Sequence, residues 1–209
     1  LANAGMRHIF LGMQSGSEKL RKETYKRSES NEDLFRAAKI IKKYSPNTEL
    51  RFDTIMSEFE TSESLKEGIN FLLTIPKPFG INKNKMAYYF DFDITETAMN
   101  QGIITKDDIA SANRKLKTQV ATKTDVEKNP YINYYYLVGR KIVPNWFIKF
   151  CLNNKIETKY PRTFSKFYII FDNVETKGQQ FKRIIYLIRN GEFKYIFNKV
   201  FGKRVKLSN

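Results

Sequence analysis

The residues best placed for chemistry are Gln14, Arg51 and Asp53. Asp53 lies in Glu49-Leu-Arg-Phe-Asp-Thr-Ile-Met56, where Leu50, Phe52, Thr54 and Met56 alternate with Glu49, Arg51, Asp53 and Ile55. Such alternation predicts a strand with one buried face, so Arg51 and Asp53 share the opposite face. A carboxylate there can accept hydrogen bonds from a polar ligand at the top of the strands. Gln14 reaches the same side from an earlier strand, with an amide that both donates and accepts. Charge on the inner side of a closed sheet is costly unless paired. The alternative is therefore a mutual Arg51–Asp53 ion pair, or a sheet edge open to water.

Other candidates are weaker alone. Arg27, in Tyr25-Lys26-Arg27-Ser28 between two helices, could fork onto a ligand carboxylate. A loop arginine in a lysine-rich chain is more often simply solvated. His8 points to the same side as Gln14, yet one histidine on a strand is usually a satisfied core residue. Tyr134, Tyr135, Tyr136, Trp146 and Phe147 read mostly as packing aromatics, and Cys151 as an inert thiol in an apolar helix. One cysteine and one histidine cannot build a zinc site or an iron–sulfur cluster from this chain alone. No residue here is assigned a catalytic or metal-ligating role.

The elements that must position these residues alternate. A strand at 7–13 puts Ile9, Leu11 and Met13 on one face, with His8, Phe10, Gly12 and Gln14 on the other. Gly16 breaks it, and Ser17 can cap a helix through about residue 24. Ser30 or Asn31 caps a second helix, whose Leu34, Ala37, Ala38 and Ile41 recur at helical spacing until Pro46. After strand 49–56, Ser62 caps a third helix with Leu65, Ile69, Leu72 and Leu73 as its buried stripe. A third strand is expected around Lys85–Phe90. Strands alternating with helices predict a parallel sheet joined by crossovers, too few for a closed barrel of eight. Beyond Gly102 the pattern turns helical, over 105–117, 131–142, 144–154, 164–172, 178–190 and 192–201, with a polar loop at 118–129.

Charge divides the chain as well. Residues 1–104 hold 15 Lys/Arg against 14 Asp/Glu, whereas residues 105–209 hold 22 against 8. The second half therefore carries nearly all of the net +15, which suits an anionic partner or merely a solvated lysine-rich surface. Hydrophobic content of 41% excludes a disordered chain, and no apolar run approaches the ~20 residues of a membrane span. A lone cysteine argues against a disulfide framework and for a reducing, cytoplasmic location.

Taken in order, these segments resemble the radical SAM enzymes, in their cobalamin-binding-domain branch. Ala4-Gly5 with Leu11-Gly12-Met13-Gln14-Ser15-Gly16-Ser17-Glu18 is similar to that family's fourth barrel strand, and Tyr25-Lys26-Arg27 to the arginine after the next helix. Arg51-Phe52-Asp53-Thr54-Ile55, followed by Glu60-Thr61, resembles the fifth strand and its turn. Leu72-Leu73-Thr74-Ile75-Pro76-Lys77-Pro78-Phe79 resembles the segment before the sixth strand, and Ala98 with Gly102-Ile103-Ile104 the helix beyond it. Two departures fall on the expected active-site rim. Ser57-Glu58-Phe59-Glu60-Thr61 is one residue shorter than the family's turn and lacks its proline, and Tyr89-Phe90-Asp91-Phe92-Asp93-Ile94 lacks a Pro-Gly-Thr.

The resemblance, which covers about residues 1–104, implies an α/β fold there: part (half) of a TIM-type barrel with parallel strands, followed, on the residue pattern, by a basic, mainly α-helical C-terminal region over 105–209. It implies that Gln14, Arg27 and Asp53 help hold S-adenosylmethionine, with Ser15 and Gly16 lining the same cofactor edge. In the family a [4Fe–4S] cluster cleaves that cofactor reductively, giving a 5′-deoxyadenosyl radical that abstracts hydrogen. The cluster cysteines and the cobalamin domain belong to an N-terminal part expected upstream of Leu1. The chain is thus read as a C-terminal fragment, inactive alone, acting on an unknown small-molecule or lipid substrate. The competing reading is a non-catalytic basic binding module. Phe193, Tyr195, Ile196, Phe197, Val200 and Phe201 interleave with Lys194, Lys199, Lys203, Arg204 and Lys206. That spacing suits an interfacial helix at an anionic membrane surface more than it suits nucleic acid.

Overall fold

The computed structural model describes residues 6–115, 117–121 and 129–162, then residues 164, 166, 169–171, 173–174 and 177–178. Three parallel strands, β1 (His8–Gln14), β2 (Glu49–Met56) and β3 (Gly80–Lys85), form one sheet in the order β1-β2-β3. Parallel neighbours require crossovers, and helices supply them. Helices α1 (Glu18–Glu23) and α2 (Asn31–Tyr44) connect β1 to β2, and α3 (Ser62–Leu72) connects β2 to β3. Each start is set by a side chain that satisfies otherwise unpaired amides. The Ser17 hydroxyl accepts from the Leu20 amide, while Ser30 with Asp33 and Thr61 with Ser64 form reciprocal capping boxes.

The expected alternation in β2 is observed. Leu50, Phe52, Thr54 and Met56 are buried, and the alternating Glu49, Arg51, Asp53 and Ile55 are only half-buried. On β1, Met13 is buried while Ile9 and Leu11 pack against the same core. The stripe Leu65, Ile69, Leu72 and Leu73 is buried as expected.

The third strand lies earlier than expected. Gly-Ile-Asn-Lys-Asn-Lys has no apolar alternation, and only its pairing with β2, Phe52 opposite Ile81 and Asp53 opposite Asn82, defines it as a strand. Residues 87–89 instead form β4 (Ala87–Tyr89), which pairs antiparallel with β5 (Gln119–Ala121). The expected loop at 118–129 thus opens with a short strand, and residues 122–128 lie outside the described residues. Helices α4 (Asp93–Asn100) and α5 (Lys106–Arg114) accompany this ribbon, around a small core of Phe59, Met86, Tyr88, Ala98 and Ile104.

Helices α6 (Ile132–Leu137), α7 (Asn145–Asn153) and α8 (Ile156–Lys159) follow. The helix expected over 131–142 stops early because Gly139 meets the chain before β3. The Phe79 amide donates to the Gly139 carbonyl at 3.0 Å, and a side chain on Gly139 would collide with the Phe79 backbone. Tyr134, Tyr135, Leu137, Val138, Ile148 and Cys151 share one core with β1, β2, α2 and α3, so the cores do not divide at residue 104. Trp146 departs from its expected packing role and is 69% exposed. The helices expected over 178–190 and 192–201, and part of 164–172, fall outside the described residues. Among the described residues no helix is long and apolar enough to cross a membrane.

Candidate functional site

With helices on one side, the parallel sheet has its other face uncovered among the described residues. His8 and Phe10 are each about half exposed there. Parallel sheets are ordinarily covered on both faces, so this exposure departs from the usual arrangement.

Gln14 and Asp53 lie on this same face of adjacent strands. Gly12 stands opposite Asp53 in the parallel register, and a bulge between Gly12 and Gln14 shifts the pairing. Gln14 ends β1 in the left-handed region, at φ 64°. Its Nε2 lies 3.0 Å from where a Cβ on Gly12 would sit, so the glycine leaves room for the amide to fold over the face that Asp53 shares. The glycine is needed for that approach and not for its own φ.

Arg51 and Asp53 form no ion pair with each other; Asn82 stands between them. Its Nδ2 donates to Asp53 Oδ1 at 2.8 Å, and its Oδ1 accepts from Arg51 Nη1 at 3.0 Å. Arg51 also reaches Glu49 at 2.7 Å, and the other Glu49 oxygen lies 3.1 Å from His8 Nδ1. A chain of polar contacts therefore crosses all three strands, from His8 through Glu49, Arg51 and Asn82 to Asp53. His8 is an exposed member of that chain, not a core residue. Asn82 carries no sequence signal of its own, because β3 lacks a recognisable pattern.

The turn after β1 is held from behind. Ser15 and Gly16 are buried, and Gly16 packs against Gly68 of α3 and the Tyr135 hydroxyl of α6. Ser17 Oγ donates to Glu67 at 2.6 Å, and the Glu18 amide donates to the other Glu67 oxygen at 3.1 Å. The buried arginine here is Arg21, only 1% exposed. It donates to the Ser15 carbonyl at 2.7 Å, Asn31 Oδ1 at 2.6 Å and the Glu29 carbonyl at 3.3 Å. Arg27 is exposed, and among the described residues its guanidinium makes no hydrogen bond or ion pair; its amide donates to the Arg21 carbonyl at 2.9 Å. Arg21 was signalled only by its place one turn after the Ser17 cap.

Glu60 is buried beside this turn and accepts from Ser64 Oγ at 2.5 Å. Burial pushes its carboxyl above the ordinary glutamate range, and the Glu67 charge adds to the shift while Ser64 and Ser15 oppose it. A raised folded-state pKa favours folding with the proton on. That contribution is full below the unfolded value of 4.5 and is lost as pH rises through the folded value. Glu60→Gln keeps an acceptor for Ser64 and removes the titration. Its stability relative to wild type, from urea midpoints, is expected to improve steadily as pH climbs above 4.5. A relative decline over that window contradicts the assignment.

Cys151 is buried in α7, and burial raises its thiol pKa, as suits an unreactive side chain. Among the described residues no three His, Cys, Asp or Glu side chains are grouped to hold a metal ion. Neither the protein-family models nor the curated proteins compared with the chain match it.

Proposed function

We propose that the open face of β1–β3 is one wall of an S-adenosylmethionine site in a radical SAM barrel, of which this chain forms the C-terminal part. One observation carries the reading: Gln14 and Asp53, on adjacent parallel strands, present an amide and a carboxylate on the same uncovered face. Ligands of parallel α/β sheets sit at the carboxyl ends of the strands, and Gln14 is the last residue of β1.

The donor set fits such a cofactor. Asp53 keeps Oδ2 without a hydrogen bond among the described residues and can accept from ribose hydroxyls. The Gln14 amide can donate and accept at once. Arg27, exposed at the α1–α2 link, can fork onto the methionyl carboxylate. Asn82 holds Asp53 from behind, and Ser15 and Gly16 fix the turn from which Gln14 projects. The lone Cys151 sits in the helical layer, so a [4Fe–4S] cluster would take its ligands from outside these residues, as would cobalamin. Together, cofactor and cluster supply radical chemistry; this chain's own part is to bind, orient and shield.

Saturation-transfer NMR on the 209-residue chain tests the reading. With half of the wall set in place, a weak complex near ~1 mM is expected, about 4 kcal/mol of binding. Transfer to the adenine and ribose protons is expected in wild type and should vanish in Gln14→Leu and Asp53→Leu. Equal transfer in wild type and both variants, or none in any of them, overturns it.

A further inference from the structure

On the helical side of the sheet, α7 presents a side that is unpartnered among the described residues. Trp146 and Phe150, one helical turn apart, are 69% and 55% exposed, and Lys149 lies exposed between them. The inner side of the same helix is filled by Ile148 and Cys151. Phe147 turns away from this surface, its ring edge-on to Trp146 at 6.0 Å and against Phe171 at 5.9 Å. In the turn before the helix, Lys141 and Ile142 are exposed, and Lys155 follows its end.

Charge decides what this surface suits. Residues 129–162 hold six Lys/Arg and a single acidic residue, Glu157. Glu157 is fully buried, taking a hydrogen bond from the Tyr134 hydroxyl at 2.6 Å. The exposed charge of this segment is therefore entirely positive, around two outward aromatic rings. Indole and phenyl rings settle at the boundary between headgroups and acyl chains, and lysines beside them bury their stems while the ammonium groups meet lipid phosphates.

We propose that the outer face of α7, with Lys141, Ile142, Trp146, Lys149, Phe150 and Lys155, docks the protein on an anionic lipid surface. A protein partner would need acidic groups matching these lysines, and a nucleic acid would leave Ile142 and Phe150 in water. The proposal does not depend on the cofactor reading, because no residue of the sheet face takes part.

Trp146 is the only tryptophan, so emission excited selectively at the indole, beyond tyrosine absorption, reports this surface alone. With vesicles of phosphatidylcholine containing phosphatidylglycerol, emission is expected to shift to shorter wavelength and be quenched by lipids brominated on the acyl chain. Added salt should reverse both, and pure phosphatidylcholine should produce neither. Co-sedimentation should fall about fivefold for each of Lys141, Lys149 and Lys155 changed to Gln, and at least as far in the Trp146→Ser/Phe150→Ser double variant. All these positions are exposed, and matching urea midpoints would show that the fold is kept. Co-sedimentation of the double variant equal to wild type overturns the proposal by assigning binding to another segment. A wavelength shift that grows with protein concentration without vesicles identifies a second copy as the occupant. Retention on duplex RNA without lipid quenching identifies nucleic acid. Each of those results also overturns it.

Discussion

Gly68→Ala is expected to destabilise the protein by ~3 kcal/mol, against the direction that helix propensity predicts. Alanine in a helix interior is favoured over glycine by about 1 kcal/mol, so a neutral site would gain. Gly68 is not neutral: a Cβ there would fall on the Tyr135 hydroxyl and lie 2.8 Å from the Gly16 Cα. Tyr135 is 2% exposed and cannot swing aside, and Gly16 belongs to the turn that carries Gln14. The strain must be relieved by parting α3 from that turn. Urea denaturation measures the loss, and the double variant Gly68→Ala/Tyr135→Phe separates its sources. Removing the hydroxyl should recover only part, because the Gly16 Cα at 2.8 Å and the Tyr135 ring carbon at 3.1 Å remain in the way. A Gly68→Ala protein as stable as wild type would mean that α3 does not set the position of the β1–α1 turn.

That turn shows what can and cannot be read from a chain. The alternation in Glu49–Met56, the stripe of α3 and the caps at Ser17 and Ser30 are local patterns, and each has a one-residue mechanism. Strand β3 has none. Its Asn and Lys residues gain strand conformation from the neighbouring β2, a non-local cause that no periodicity records. The same holds for the site. The shared face of Arg51 and Asp53 follows from strand alternation, whereas Gln14 reaches that face only past a bulge and a left-handed φ that alternation does not record. Asn82, which joins Asp53 to Arg51, depends on a register visible only once β3 is placed. Trp146 shows the opposite failure: aromaticity suggested packing, while the helix phase turned it outward.

The polar chain on the sheet and the buried network behind the turn act on the same two residues from different sides. Asn82 limits where the Asp53 carboxylate can point, and the contacts of α3 limit where β1 can end. On the proposed reading such a face would be pre-organised, since Asn82 already orients the Asp53 carboxylate and less ordering would be left to binding. The cost falls on folding, which must bury Arg21, Glu60 and the Ser15–Ser17 turn together.

Arg21 makes that cost measurable. Replacing Arg21 with Met should destabilise the protein by about 3 kcal/mol or more, since removal of a buried charge strands the groups that answered it. The guanidinium reaches three acceptors from two segments, Ser15 on one side and Glu29 and Asn31 on the other, while its face lies 5.9 Å from the Phe71 ring centroid. Burial disfavours its charge, and Glu18, Glu67 and Glu29 support it. Methionine fills much of the volume yet answers none of the acceptors, and the Ser15 carbonyl has no water to turn to. Arg21→Lys keeps the charge but offers a compact ammonium in place of the planar fork, so it should recover only about half of the loss. Chemical denaturation of both variants gives the energies, and the side-chain amide resonances of Gln14 report whether the turn has moved. If Arg21→Met matches wild type within about 0.5 kcal/mol, the range of ordinary surface changes, then Arg21 is not what holds the turn. If both variants lose stability while the Gln14 resonances stay in place, the arginine supports the α1–α2 link and not the ligand face.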